Sequence, residues 1–334
     1  MTDDRHPQVN FGKTGVLLVN LGTPDSTKWW DVRKYLKEFL SDRRVIEVNP
    51  IIWQIILNLF ILTLRPSKSA HAYKKIWLKE TNESPLLYYT RNQSIKLKKK
   101  IGNEKLIIDF AMRYGNPSIK NKLDLLKSMG CENIIVLPLY PQYAAATTAT
   151  VCDEVYRCLM KMRWQPSLQI VPHYESEPSY VDALVESINE KIKNIDWKPD
   201  LIIASYHGIP KSYFDKGDPY QCYCQKTSRL IKEKFTDIEI QTTFQSRFGP
   251  REWLKPYTDK TLDNLPKQGK KNILVICPGF SSDCVETLEE INIQGKESFL
   301  KNGGKNFDLI PCLNDQPNHI QLFEKLIKRY LIES

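Results

Sequence analysis

At 334 residues the chain is long enough for two domains of ordinary size, each with its own core, and 41% hydrophobic with 26% charged residues excludes a fibrous or disordered protein. A formal net charge of +9 suits an anionic partner, whether nucleic acid, an acidic membrane surface or an acidic small molecule. No zinc finger, helix-turn-helix or aromatic-basic RNA platform accompanies the lysines, so no nucleic-acid partner is expected.

In chain order, Met1 to Lys13 is polar and lacks the charged, apolar and small-residue pattern of a secretion signal, so a cytoplasmic protein is expected. Short Val- and Ile-rich runs bounded by Gly or Pro follow at Val16–Val19, Leu106–Ile108, Ile134–Leu137 and Leu168–Val171. Four more stand at Leu201–Ala204, Ile238–Ile240, Asn272–Ile276 and Phe307–Ile310. Such runs are the signature of buried parallel strands. Helical patterns separate them at Ile119–Met129, Tyr180–Ile192, Thr227–Phe235 and Glu286–Leu300, predicting two α/β units, each a sheet of about four parallel strands flanked by helices. The boundary is expected near Asn194 to Pro199, giving domains 12–195 and 196–334. The eight cysteines contain no C-x-x-C pair; reduced thiols are expected, and Cys222-Tyr-Cys224 alone is weak evidence for a metal site.

The units are copies of one another. Ile170-Val171-Pro172 to Pro178 returns as Leu309-Ile310-Pro311 to Pro317, and Val136-Leu137 as Val275-Ile276, both 139 positions later. Arg113-Tyr114-Gly115 returns as Arg247-Phe248-Gly249 after 134, and Leu21-Gly22-Thr23-Pro24 as His207-Gly208-Ile209-Pro210 after 186. The copies diverge at strand ends, where ligands of open α/β sheets bind. There Leu21 corresponds to His207, Ala144 to Asp283 and Thr147 to Glu286.

The first copy also carries about 52 extra residues between its first two strands, within an insertion spanning about 40–90. It includes Pro50 to Leu64, 15 residues too short to cross a bilayer. A buried core helix is one reading. Flanking cations at Arg65, Lys68, Lys74, Lys75 and Lys79, with Trp53 and Trp77 nearby, favour the other: a lip resting on a membrane surface, through which an apolar substrate is admitted.

His207 directly follows a strand and precedes Gly208-Ile209-Pro210, which turns the chain away. Either it bonds a nearby carbonyl as a core histidine, or it serves a ligand cleft. Asp283, Glu286 and Glu290 stand at i, i+3 and i+7, one face of an α-helix. Asp283 and Glu286 could equally form a capping box. One imidazole beside several carboxylates is a releasable divalent-metal site, not a zinc cage, and it can also accept protons.

The stretches VNLGTPD, LPLYPQYAAATTAT, SYHGIP, KGDPYQCYCQKT, FQSRFGPREWLKPYTDKTL and PGFSSDCVETLEEI, in order over nearly the whole chain, resemble the ferrochelatases. The resemblance implies two Rossmann-like domains clamping a porphyrin in the cleft between them. It also implies lyase activity that inserts Fe2+ into protoporphyrin IX, the last step of haem biosynthesis, with iron as substrate. By the same resemblance His207 is metal ligand or proton acceptor and Glu286 its partner carboxylate across the macrocycle. Asp283 and Glu290 lie on an acidic path toward Glu286, Tyr73, Ser84, Arg113 and Tyr114 line the porphyrin pocket, and Phe280 is a cleft wall. Cys284 stands where several relatives have a second histidine. The cysteine-rich C-terminal extension that holds an iron–sulfur cluster in animal relatives is missing, and no cluster is expected. Peripheral contact with the cytoplasmic membrane face is expected from the lip. The runner-up readings are a coproporphyrin ferrochelatase, a chelatase of another tetrapyrrole, and a non-catalytic porphyrin carrier.

Overall fold

A computed structural model describes residues 11–331, so most of the polar segment read for a secretion signal lies outside it. The eight apolar runs form two sheets. In the first, β1 (Lys13–Thr23), β2 (Leu106–Gly115), β3 (Cys131–Pro138) and β4 (Ser167–Ile170) are parallel in the order β2-β1-β3-β4. In the second, β5 (Leu201–His207), β6 (Ile240–Gln245), β7 (Asn272–Ile276) and β8 (Asn306–Leu309) repeat it as β6-β5-β7-β8. The sequence repeat is therefore a repeat of topology. β6 departs from its expected place, beginning at Ile240 and continuing through Gln241, Thr242 and Thr243. It is a sheet edge, paired on one side only, and needs no continuous apolar run.

Side-chain alternation divides each sheet between two cores. Val16 and Leu18 of β1 with Ile135 and Leu137 of β3 point inward, toward Ile202, Ala204 and Tyr206 of β5 and Leu274 and Ile276 of β7. Leu17, Val19, Ile134 and Val136 point outward onto the helices Ile119–Ser128 and Thr150–Leu159. The inner core is thus common to both copies, and fully burying each such side chain contributes about 1.5–3 kcal/mol. Helices cross between the halves to fill it. Pro178–Lys193 packs on Tyr220–Lys232, while Pro317–Lys328 packs on Pro85–Ile101. Tyr220–Lys232 starts earlier than its apolar pattern because Asp218 accepts from the Tyr220 N–H at 3.0 Å.

The insertion expected to form the lip is built around one long helix. Asn49 accepts from the Ile51 and Ile52 N–H groups and Pro50 takes the first helical position. The helix then runs continuously from Pro50 to Ile76, with a π turn at Leu57–Ile61. The buried-core reading is overturned, since Ile51, Leu59 and Leu64 are 75%, 64% and 73% exposed. The reading of a 15-residue segment ending near Leu64 is also corrected: the helix spans 27 residues. By length and composition alone it is long and apolar enough to cross a membrane. Leu57, Leu62, Tyr73 and Ile76 face inward and pack with Val32, Tyr35, Leu36 and Tyr114.

Candidate active site

Two glycines set the strand exits. A Cβ on Gly208 would lie 2.9 Å from the Gln245 carbonyl oxygen, and one on Gly22, at φ +111°, only 1.8 Å from that of Tyr114. Each exit therefore runs tight against the edge strand beside it, possible only without a side chain. His207, just before Gly208, bonds through Nδ1 to the Gly208 carbonyl at 2.7 Å. A carbonyl only accepts, so Nδ1 carries a proton and the neutral ring offers its lone pair at Nε2. His207 bonds a backbone carbonyl and also lines a cleft.

That cleft opens between the carboxyl ends of the two sheets. Leu21, Ala144 and Thr147 of the first copy line it, as do His207 and Glu286 of the second. Five of the six positions at which the copies differ in chemistry are thus walls of one space. Tyr73, Ser84 and Phe280 also line it.

Asp283 does not. It is 4% exposed, its Oδ2 accepts from Asn314 Nδ2 at 2.7 Å, and its Oδ1 accepts from Thr287 Oγ1 at 2.9 Å. The capping box with Glu286 is absent, because those oxygens are already taken. The expected α-helix from Glu286 is also corrected: Glu286–Gly295 is a π-helix, followed by an α-helix at Lys296–Lys301. Its i→i+5 winding undoes the narrow i, i+3, i+7 stripe. Glu290 lies behind the cleft wall, accepting from the Ser246 N–H at 2.7 Å and from the Ser246 hydroxyl. Burial pushes its pKa up, while the Ser246 hydrogen bonds oppose that rise. Ser246 holds this contact at φ +63°, an uncommon conformation for a residue with a side chain. Among the described residues no three His, Cys, Asp or Glu side chains converge as a metal cage. The four expected metal residues do not form a closed set.

Arg113 and Tyr114 also require correction. The Arg113 guanidinium bonds Asp42 at 2.6 Å and the Thr150 carbonyl at 2.9 Å, and Tyr114, fully buried, bonds Asp42 at 2.9 Å. Neither lines the cleft. A buried arginine without its carboxylate would be an uncompensated charge, so Asp42 captures it in a structural pair. Arg113 borders a separate polar depression at the foot of the lip helix.

Sequence reasoning missed the aromatic wall formed by Tyr35, Tyr140, Tyr213 and Trp253, and the amide of Gln142. Tyr140 and Gln142 sit inside the quoted LPLYPQYAAATTAT stretch and Trp253 inside FQSRFGPREWLKPYTDKTL, signals that were available. Burial keeps the Tyr35, Tyr73 and Tyr140 phenols protonated. Among the described residues the buried Tyr140 hydroxyl has no hydrogen-bond partner, which leaves an unpaired donor on the cleft wall. The Cys284 thiol is raised by burial and by Glu286, so it stands as a neutral thiol and a poor metal ligand.

Paired parallel α/β units with an imidazole and a carboxylate on the walls of the cleft between them define a chelatase-type fold. The chain resembles SirB from Bacillus subtilis with Fe3+, at TM-score 0.57 and 12% identity over 95% of each chain. It also resembles the sirohydrochlorin chelatase SirB from Bacillus subtilis subspecies spizizenii in complex with cobalt, at TM-score 0.58 and 10% identity over 95% of this chain and 94% of that one. A family profile described as Ferrochelatase matches residues 13–331. The ferrochelatase of Rhizobium meliloti (strain 1021) is 55% identical over 329 residues, 98% of this chain and 97% of that protein. The ferrochelatase of Francisella tularensis subsp. tularensis (strain WY96-3418) is 52% identical over 321 residues, 95% of this chain and 96% of that protein. The chain belongs to the ferrochelatase family.

Proposed function

We propose that this chain inserts Fe2+ into protoporphyrin IX, held in the cleft between the two sheets, and releases the two pyrrole protons to give protohaem. Iron enters as substrate, with no iron–sulfur cluster. One observation carries the reading of the site: His207 and Glu286 line the same cleft at the strand-end positions where the first copy presents the inert Leu21 and Thr147. Binding alone would not require that difference.

A flat porphyrin keeps two N–H protons in plane, so the metal cannot reach all four nitrogens until the ring buckles. Clamping between aromatic walls supplies that distortion from binding energy spent on the rest of the ring. The Nε2 lone pair of His207 accepts a pyrrole proton, and the Glu286 carboxylate serves the exchange of proton and metal. Asp283 and Glu290 act less directly: Asp283 fixes the turn before Glu286, and Glu290 supplies negative charge behind His207 along the metal's approach. Tyr73, Ser84 and Phe280 hold the macrocycle. Arg113 and Tyr114 brace the lip instead of touching the ring.

The division of labour follows the boundary near residues 194–199, with 12–195 forming the mouth and 196–334 the proton and metal groups. The exposed apolar ridge of the lip, with Lys68 and Lys74 nearby, rests on the cytoplasmic face of the membrane and takes an apolar porphyrin from it. The protein is on this reading cytoplasmic and peripheral to the membrane.

The test follows porphyrin absorption with ferrous iron, or zinc as surrogate. His207→Ala nearly abolishes insertion in a folded protein. Glu286→Gln retains porphyrin binding and slows metallation by roughly 10²–10⁴-fold, the usual worth of a positioned acid or base. Wild-type turnover in either folded variant overturns that residue's role.

A further inference from the structure

Lys75, in the last turn of the lip helix, donates from Nζ to Glu289 Oε1 at 2.9 Å. Glu289 Oε2 accepts from Gln294 Nε2 at 2.7 Å. Glu289 belongs to the π-helix and stands three residues after Glu286. The pair is lopsided, with the Glu289 side chain 6% exposed and that of Lys75 36%. Removing the lysine would leave a nearly covered carboxylate without its cation. Around the pair, Val285 and Leu288 pack into the apolar cluster of the lip that includes Leu62, Tyr73 and Ile76.

The chemistry assigned above to His207 and Glu286 makes no use of this contact. It nevertheless joins the element that forms the cleft's mouth to the element that carries its acid, across the boundary between the copies. We propose that Lys75 and Glu289 are positioning residues that register the π-helix against the seated lip, so that Glu286 meets the porphyrin in productive geometry only when the mouth is closed. This rests on the reading of Glu286 given above. A π-helix suits the task, because its irregular hydrogen bonding leaves its side-chain placement dependent on packing from outside. The lip meets the second copy at another point, where the Arg65 guanidinium lies 4.4 Å over the Phe248 ring in the loop after β6. Displacing the lip thus removes support from the π-helix side of the cleft.

The experiment measures kcat, the KM for porphyrin and the thermal midpoint in the full-length protein for Lys75→Met, Glu289→Gln, the charge swap K75E/E289K and the apolar pair K75M/E289L. A positioning role predicts that each single variant lowers kcat by tenfold or more while KM for porphyrin stays within about twofold, because misplaced acid slows chemistry more than binding. The swap then recovers kcat to within about threefold of wild type. Should a single variant or the swap fail to fold, K75M/E289L replaces the pair with apolar side chains and leaves no carboxylate unpaired in the covered site, and its kcat stays down by tenfold. Single variants with kcat within twofold of wild type, a folded swap without recovery, or a folded apolar pair at wild-type kcat overturn the proposal. Glu286→Gln, run in parallel, separates the two readings. If it turns over normally, the assignment of Glu286 fails; if it is slow while Lys75→Met is normal, only the positioning role fails.

Discussion

His319 is 1% exposed, its Nδ1 meets the Asn314 carbonyl at 2.7 Å, and its ring packs 4.3 Å from that of Phe323. Burial pushes its pKa down to about 4. With the folded-state value below the ordinary 6.5, the unfolded chain binds the proton more readily. The stability contributed by the neutral ring is therefore fully present above about pH 6.5 and lost as pH falls toward 4. The shift corresponds to about 3 kcal/mol at most. Denaturant midpoints between pH 7 and 4.5 are expected to fall, and His319→Gln, which keeps a donor for Asn314, flattens that part of the decline. An unchanged slope in the variant removes His319 as its source. The consequence reaches the site, because Asn314 also holds Asp283, on both its N–H and its carboxylate.

At the scale of elements, seven of the eight strands were legible because buried parallel strands need unbroken apolar runs, the edge strand β6 being the exception, and the repeat placed His207 and Glu286 at matched strand ends. The acidic stripe was misread for a specific reason. A π-helix has no periodicity of its own in sequence, so Asp283, Glu286 and Glu290 were assigned α-helical spacing and one common face. The capture of Arg113 by Asp42 was equally hidden, because a sequence does not show which carboxylate comes within 2.6 Å. The lip was half legible: its apolarity was plain, its continuation through Pro66 to Ile76 was not. What its exposed ridge does is testable. Each of Ile51, Leu59 and Leu64 contributes on the order of 1.5–3 kcal/mol when fully buried in an apolar phase. Replacing all three with serine is expected to reduce cosedimentation with anionic phospholipid vesicles more than tenfold, while metallation of a detergent-solubilised porphyrin continues at the wild-type rate. Undiminished vesicle binding would remove the ridge as the membrane contact.

The whole molecule is held as a pair by reciprocal hydrogen bonds. Gln93, fully buried on helix Pro85–Ile101 of the first copy, reaches across to the Ser282 hydroxyl at 3.1 Å and the Asn314 carbonyl at 2.8 Å. Thr227, its counterpart 134 positions later and also fully buried, reaches back to the Glu175 carbonyl at 2.9 Å and receives the Gln142 amide at 2.9 Å. Each copy therefore supports the strand-exit loops of the other, which explains why neither half of the cleft is built by one copy alone. The two supports are similar in energy and different in consequence. Removing either leaves buried polar groups unpaired, so Gln93→Leu and Thr227→Val should each lower stability by about 1–3 kcal/mol. Only the loop held by Gln93 leads into Glu286, whereas the loop held by Thr227 leads to Ala144 and Thr147. The fall in kcat, measured well below both melting transitions, is therefore expected to be at least fivefold larger for Gln93→Leu than for Thr227→Val. Equal falls would mean that the chemistry is not confined to the second copy.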